Sequence, residues 1–288
     1  MKVCSVCRRC YDNFDVLCID ETHPALSETH PGGREIVEGY SLDLLLESGL
    51  RGELFQAHEL ATNAQCIIRI ITTGDKEQER IVREAEVAAA IFHPNVADVY
   101  DAGTLDTGRA FVVSEYPAGQ TLRQLLDKVR IPELLTSVQI LSQTAEALHT
   151  LHVNGLTHNA VRPENIVLTT DADGFLLVRI QNIDHGGVGF RSIISNKFLI
   201  DSSLDSLRYF APEQCTGESA GPPTDVYSLG IVFYEMLSGA PPFDASTATA
   251  LIHKQRNERP ADVRIENFQL RMLLTHALME SVQKQPMY

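Results

Sequence analysis

The chain has 288 residues, room for one two-lobed core or two modest domains. Its formal net charge of −14 argues against a general binder of nucleic acid or anionic membrane, since both need a basic face. No apolar run approaches the length of about 18 residues that spans a bilayer, and Met1-Lys2-Val3-Cys4 opens no apolar signal region, so a cytoplasmic chain is expected.

The chain begins with a cysteine-rich stretch carrying Cys4, Cys7, Cys10 and Cys18. In a reducing compartment such thiols bind metal more readily than they form disulfides. Cys4-x-x-Cys7 has the knuckle spacing that turns two thiolates toward one ion, and Cys18 lies at hairpin distance. The fourth ligand is either Cys10, the preferred thiol, or His23. The expected cofactor is one structural zinc ion. Cys66 and Cys215 stand alone among apolar residues and read as small buried hydrophobes. Residues 1–24 are expected to form this module and 25–38 a linker, where His23-Pro24 and His30-Pro31-Gly32-Gly33 interrupt any periodic pattern.

Strand character starts at Tyr40, with Leu42, Leu44 and Leu46 alternating. A turn is expected over Glu47–Gly52, a second strand from Leu54-Phe55, and a third over 65–72. Ile81, Ala85, Ala88 and Phe92 have helical spacing, and His93-Pro94-Asn95 should stop that helix. Strands follow around Asp98–Tyr100 and Ala110–Ser114. Leu134, Val138, Leu141, Ala145, Leu148 and Leu151 mark one face of a long helix. Val226, Leu229, Val232, Phe233 and Met236 mark another. A β-rich part before a larger helical part is an α+β arrangement with two lobes.

Several strings, taken in order, resemble bacterial Ser/Thr protein kinases. His158-Asn159-Ala160-Val161-Arg162-Pro163-Glu164-Asn165 is similar to the catalytic loop H-R-D-L-K-P-E-N, and Ala211-Pro212-Glu213 is an intact A-P-E. Asp225-Val226-Tyr227-Ser228-Leu229-Gly230 and Tyr234-Glu235-Met236-Leu237-Ser238-Gly239, with Pro241-Pro242-Phe243, continue the likeness. The resemblance implies a kinase-like domain over 39–288, with an N-lobe over 39–117 and a C-lobe over 118–288. It also implies that the C-lobe lacks its last helices, because Lys284-Gln285-Pro286 stops short of the arginine that pairs with the A-P-E glutamate, here Glu213. The cysteine module in turn resembles a zinc ribbon joined to some bacterial kinases.

Position by position, the resemblance implies weakened chemistry. Glu47 replaces the first glycine of the phosphate loop, while Gly49 and Gly52 remain. Arg69 stands for the strand lysine and would pair with Glu84, although its wider fork is no free substitute at a phosphate. Ile67 replaces the alanine above adenine and, with Leu54 and Val167, should narrow the space for that ring. Ala160 replaces the carboxylate that orients the substrate hydroxyl, Asn159 the preceding arginine and Arg162 the loop lysine; Asn165 is retained. Asn182-Ile183-Asp184 falls on D-F-G without an insertion; a shifted register would give Asp184-His185-Gly186. A vestigial nucleotide pocket would comprise Gly49, Gly52, Ile67, Arg69, Glu115 and Val167, with ATP and Mg²⁺ bound weakly or not at all. By themselves His158 reads as a structural histidine and Asp225 as a helix N-cap; the resemblance implies that Asp225 also braces the catalytic loop from below.

With Arg69, Ala160 and Asn182 all altered, the sequence is read as a catalytically inactive pseudokinase. It would act by binding a protein partner such as an active kinase or another signalling protein. Two alternatives stand beside it: a low-activity Ser/Thr kinase using Asp184 for metal, and a non-catalytic switch that binds ATP.

Overall fold

The computed structural model describes residues 1–288 except 13–14, 16, 24–26, 29–33, 35–36, 50–51, 72–74, 184–203, 217–219, 264–267 and 280–288. The chain divides into two compact units, Met1–Ala90 with Asp98–Tyr116, and Ile91–Ala97 with Pro117–Tyr288. The first is built on β-sheet and the second is mainly helical, the α+β arrangement expected from sequence.

Three two-residue strands open the first unit: β1 (Lys2–Val3), β2 (Cys10–Tyr11) and β3 (Ser27–Glu28), paired antiparallel in the order β2-β1-β3. The main sheet follows, with β4 (Tyr40–Gly49), β5 (Gly52–Glu59), β6 (Gln65–Ile71), β7 (Val99–Thr104) and β8 (Ala110–Glu115). Its strands are antiparallel in the order β4-β5-β6-β8-β7. Cys66-Ile67-Ile68-Arg69-Ile70-Ile71 suits the central strand, because β-branched side chains pack well on a pleated surface. Alternate residues face opposite sides. On one side Phe55, Ala57, Cys66, Ile68, Ile70 and Val113 form a core with Met1, Val3, Cys10 and Val37. The cysteine-rich segment therefore covers one face of the sheet. Each buried aliphatic side chain it contributes is worth about 1.5–3 kcal/mol.

Helix α1 (Asp75–Ala89) packs on β7 and β8 through Ile81 and Ala85, and Ala88 is buried as expected. Phe92 does not belong to that face. The helix ends at Ala89, the backbone turns at His93 with Val96 N donating to its carbonyl at 3.0 Å, and Phe92 is 85% exposed. Pro94 forbids helical backbone at the residue before it, and the helix stops before reaching that constraint.

In the second unit β9 (Gln120–Thr121) leads into α2 (Leu122–Lys128), whose start is a capping box of Thr121 with Gln124. Helix α3 (Leu134–Val153) follows, then β10 (Ile166–Thr170) and β11 (Leu176–Ile180), in a sheet of order β11-β10-β9. Helices α4 (Leu204–Leu207), α5 (Pro212–Thr216), α6 (Pro222–Ser238), α7 (Ala248–Asn257) and α8 (Phe268–Met279) complete the described residues. The buried stripe of α3 runs through Ser137, Ile140, Leu141, Thr144, Ala147, Leu148 and Leu151. It is rotated from the expected face: Leu134 is 50% exposed and Ala145 is also exposed. Counting apolar letters misses Thr144, which is fully buried because its hydroxyl donates to the Ile140 carbonyl at 2.7 Å. Helix α6 packs against α3 and α8 and is buried nearly all round, so Val226, 41% exposed, lies off the face while Leu229, Val232, Phe233 and Met236 are on it. It ends at Gly239, whose φ of 80° is the left-handed C-cap conformation that glycine adopts without strain.

Candidate active site

The loop after α3 is organised from below by one carboxylate. Asp225, in the first turn of α6, is fully buried and accepts from the backbone amides of His158 (2.8 Å) and Asn159 (2.8 Å). His152 Nε2 lies 2.8 Å from Asp225 Oδ2, so this buried charge has three partners. Asp225 thus braces the loop, as the resemblance implies, but it is not the expected N-cap: the helix starts at Pro222 and its cap residue is Gly221. His158 is fixed at both ring nitrogens. Nδ1 accepts from the Ala160 amide at 3.3 Å, which leaves Nε2–H to donate to the Gln181 carbonyl at 3.1 Å. The histidine is a clamp between two backbone stretches, the structural role expected of it.

Asn159 and Asn182 have φ of 60° and 59°, in the left-handed region that asparagine tolerates better than most residues. Asn159 also receives Gln214 Nε2 on its carbonyl at 3.0 Å. Asn165 donates to the Ala160 carbonyl at 2.8 Å, and its Oδ1 accepts from Asn182 Nδ2 at 3.0 Å. The structure therefore brings Ala160, Asn165 and Asn182 together. Asn182 Oδ1 is buried without a hydrogen-bond partner among the described residues. An amide oxygen with an uncommitted lone pair is a hard donor that suits Mg²⁺, but it carries no charge to offset the cation. These residues fit a weak divalent-cation site. Asp184, the metal residue of the alternative register, lies outside the described residues, as does the segment after Met279.

Arg123 on α2 ties the loop to its surroundings. Its Nη2 donates to both Glu235 oxygens (2.9 and 3.1 Å) and to the Tyr209 hydroxyl (2.6 Å), and its Nε to Glu164 (3.3 Å). Burial opposes the charge, but Tyr209 and Glu235 hold the guanidinium pKa above its usual value. Burial and the Glu235 carboxylate push the Tyr209 phenol well up. Sequence reasoning missed this network; its signal was Glu235, a carboxylate in a helix otherwise almost wholly apolar. Glu213 of the A-P-E string accepts from the Thr224 hydroxyl at 2.8 Å.

In the first unit Leu54, Ile67 and Arg69 lie on the sheet face opposite the cysteine segment. Arg69 stands across from Leu54 on β5 and Val112 on β8; Ile67 is buried, across from Gln56 and Ser114. Leu54 and Ile67 share this face at diagonal positions. Glu84 on α1 has Arg80 at 3.8 Å as one partner, and Glu115 closes β8 with its amide donating to Asp98. Gly52 has φ 95°, and a Cβ there would lie 2.0 Å from the Ile70 carbonyl oxygen, so no side chain fits. It pairs with Gly49 across the hairpin. In the second unit Val167 is buried on β10, between Arg179 and Thr121.

The cysteine segment brings four donors together. Ligand atoms of Cys4, Cys7, Cys18 and His23 all lie within 4.8 Å of one another. Cys7 and Cys18 sulfurs are 3.6 Å apart, and His23 Nδ1 is 3.3 Å from Cys18 and 3.6 Å from Cys4. A tetrahedral zinc with bonds of 2.0–2.3 Å has ligand–ligand edges of about 3.3–3.8 Å, which these three distances match. Burial opposes ionisation of Cys18, but Tyr11, the Asp20 amide, His23 and Cys7 outweigh it and bring its thiol down to about 6. His23 Nε2 faces Asp20 at 3.5 Å, the carboxylate–histidine pairing usual behind a metal ligand. Cys10, the preferred fourth ligand, is not in this group. It is 5% exposed in the sheet core, where burial pushes its thiol up to about 12, and His23 takes the place expected of it.

A sheet-based part followed by a helical part holding this braced loop is a protein-kinase-like fold. The protein kinase domain model matches residues 40–283, and the chain belongs to that family. It is 27% identical to a probable serine/threonine-protein kinase of Clostridium acetobutylicum and 30% identical to one of Clostridium perfringens, each over 88% of this chain. Over 77% of this chain it is 29% identical to the serine/threonine-protein kinase PknB of Mycobacterium leprae. These alignments span only 38%, 36% and 36% of the relatives' own lengths. They overturn the reading of a catalytically inactive module that acts only by binding protein. The relatives are named as kinases, and the family match over residues 40–283 spans Arg69, Ala160 and Asn182. Among the described residues no helix is long and apolar enough to cross a membrane.

Proposed function

We propose that the chain is a Ser/Thr protein kinase of low turnover, transferring the terminal phosphoryl group of ATP to a hydroxyl of a protein substrate. The observation that carries the reading is the loop frame, with Asp225 on the His158 and Asn159 amides and the Asn165 and Asn182 side chains converging beside Ala160. Phosphoryl transfer has a loose transition state, so positioning and charge stabilisation matter more than covalent chemistry. Loss of a base at Ala160 then slows the reaction by roughly 10²–10⁴-fold without removing its basis. Arg69 keeps a cation on the central strand, and Gly49 and Gly52 let backbone approach phosphate. When bound, Mg²⁺ would neutralise phosphate charge, with Asn165 and Asn182 as its side-chain holders. Long incubation with γ-labelled ATP, Mg²⁺ or Mn²⁺ and generic protein substrates should give slow, metal-dependent incorporation that Arg69→Ala abolishes. Incorporation no higher than that of the Arg69→Ala variant would refute the assignment.

A second reading concerns the cysteine segment, and the converging donors favour it. Cys4, Cys7, Cys18 and His23 hold one structural Zn²⁺, with Asp20 and Tyr11 behind the ligands. Elemental analysis should find about one zinc ion per chain. Loss of zinc in Cys18→Ser and in His23→Ala is expected; full occupancy in either would exclude that ligand.

A further inference from the structure

Strand β4 carries the start of the glycine-rich hairpin, yet its ladder to β5 is broken twice. Register runs Leu42↔Ala57, Leu44↔Gln56, Leu45↔Phe55 and Glu47↔Leu54, so Asp43 and Leu46 are skipped. Such bulges leave backbone unpaired and bend a strand unless something else holds it. Here the N-terminal segment supplies an arginine at each. Arg34 donates to Asp43 Oδ1 at 2.7 Å and to the Leu42 carbonyl at 2.9 Å, and its own carbonyl receives the Leu42 amide. Arg8 donates to the Leu46 carbonyl at 3.0 Å, and its own carbonyl receives the Leu45 amide at 2.9 Å. Arg9 bridges to Leu44 beside it.

Arg8 is itself positioned by the metal knuckle. It follows Cys7, its amide donates to the Cys4 carbonyl at 2.9 Å, and its φ of 59° is the left-handed turn of the Cys4–Cys7 loop. A non-glycine residue holds such a conformation only where its surroundings impose it. An ion on the Cys4 and Cys7 sulfurs would impose it. Its loss would free Arg8 and unclasp the second bulge, next to Glu47-Ser48-Gly49.

We propose that Arg8 is a positioning residue through which the metal knuckle braces the glycine-rich hairpin, so that zinc occupancy sets affinity for nucleotide phosphate. This rests on the kinase and zinc readings above. The brace acts on β4 alone, so it should change nucleotide binding and leave protein-substrate binding untouched.

The test uses the full chain, with zinc content, hydrogen exchange of β4 amides and affinity for a non-hydrolysable ATP analogue measured side by side. Arg8→Ala should retain about one zinc ion per chain. The β4 amides flanking Leu46 should then exchange several-fold faster, as expected when one hydrogen bond, from the Arg8 guanidinium to the Leu46 carbonyl, is lost. Affinity for the analogue should fall several-fold, the KM for a protein substrate should stay constant, and Arg8→Lys should restore most of the affinity by keeping a donor to Leu46. Zinc removal with a chelator should reproduce the Arg8→Ala pattern. Zinc release that changes neither β4 exchange nor analogue affinity overturns the brace and leaves the zinc assignment standing. A chain that neither carries nor takes up zinc overturns both.

Discussion

At the catalytic loop the frame is complete and the reactive side chains have changed. Asp225, His158 and Asn165 keep their backbone contacts, while Ala160 and Asn182 stand where the family pattern has carboxylates. At the cysteine cluster four donors converge, and the surroundings are what the sequence conceals: Asp20 behind His23, Tyr11 beside Cys18, and a core shared with the main sheet. A frame can therefore outlast its chemistry, because buried carboxylate and amide contacts are costly to lose whatever the loop does. Donor sets have less latitude, since removing one of four ligands removes the site.

The largest test restores chemistry to the intact frame. If the loop is held as in an active enzyme, Ala160→Asp combined with Asn182→Asp should raise kcat by roughly 10²–10⁴-fold. Steady-state kinetics at saturating ATP and Mg²⁺ would measure it. A doubly restored variant no faster than the parent would mean that the frame is not competent, and the contrast between frame and chemistry would collapse.

The second test attacks the frame itself. Asp225→Ala leaves the His158 and Asn159 amides buried without their acceptor, at about 1–3 kcal/mol each. Urea denaturation should show a loss of about 3 kcal/mol or more, with zinc content unchanged. A loss under about 1 kcal/mol would show that the loop is held chiefly by other contacts.

How much of this was legible in the sequence depended on distance along the chain. The catalytic loop could be read because His158 to Asn165 is one continuous string. The strands could be read too, because Ile67-Ile68-Arg69-Ile70-Ile71 admits little else. Helix faces were harder. Leu134 and Phe92 fit the spacing but lie at or past helix ends, where exposure and Pro94 override periodicity. Long-range pairings were not legible at all. Nothing local says that Met1, Val3 and Val37 cover Phe55 and Ile68, or that Arg123 meets Glu235 across 112 residues. The same limit misplaced Cys10. It sits close to Cys7 in sequence, but as a residue of β2 it turns into the sheet core, while His23 returns from further on.

The smallest test separates those two neighbours and sharpens the comparison from the metal side. Cys10 is a core residue with a thiol that burial keeps protonated, so Cys10→Ser should leave zinc stoichiometry at about one per chain. Its cost should be stability alone. A serine hydroxyl placed among Met1, Val3, Leu42 and Phe55 is desolvated without an apolar gain in return, worth about 1–3 kcal/mol. Cys10→Ala removes the polarity and should cost less than Cys10→Ser, a difference that a ligand would not show, since serine and alanine there would fail alike. Metal analysis and urea midpoints on the two variants, run beside Cys18→Ser, decide the matter. If Cys10→Ser loses zinc while His23→Ala keeps it, the cluster is a four-thiol site, and the division between donor set and sheet core is drawn one residue wrong.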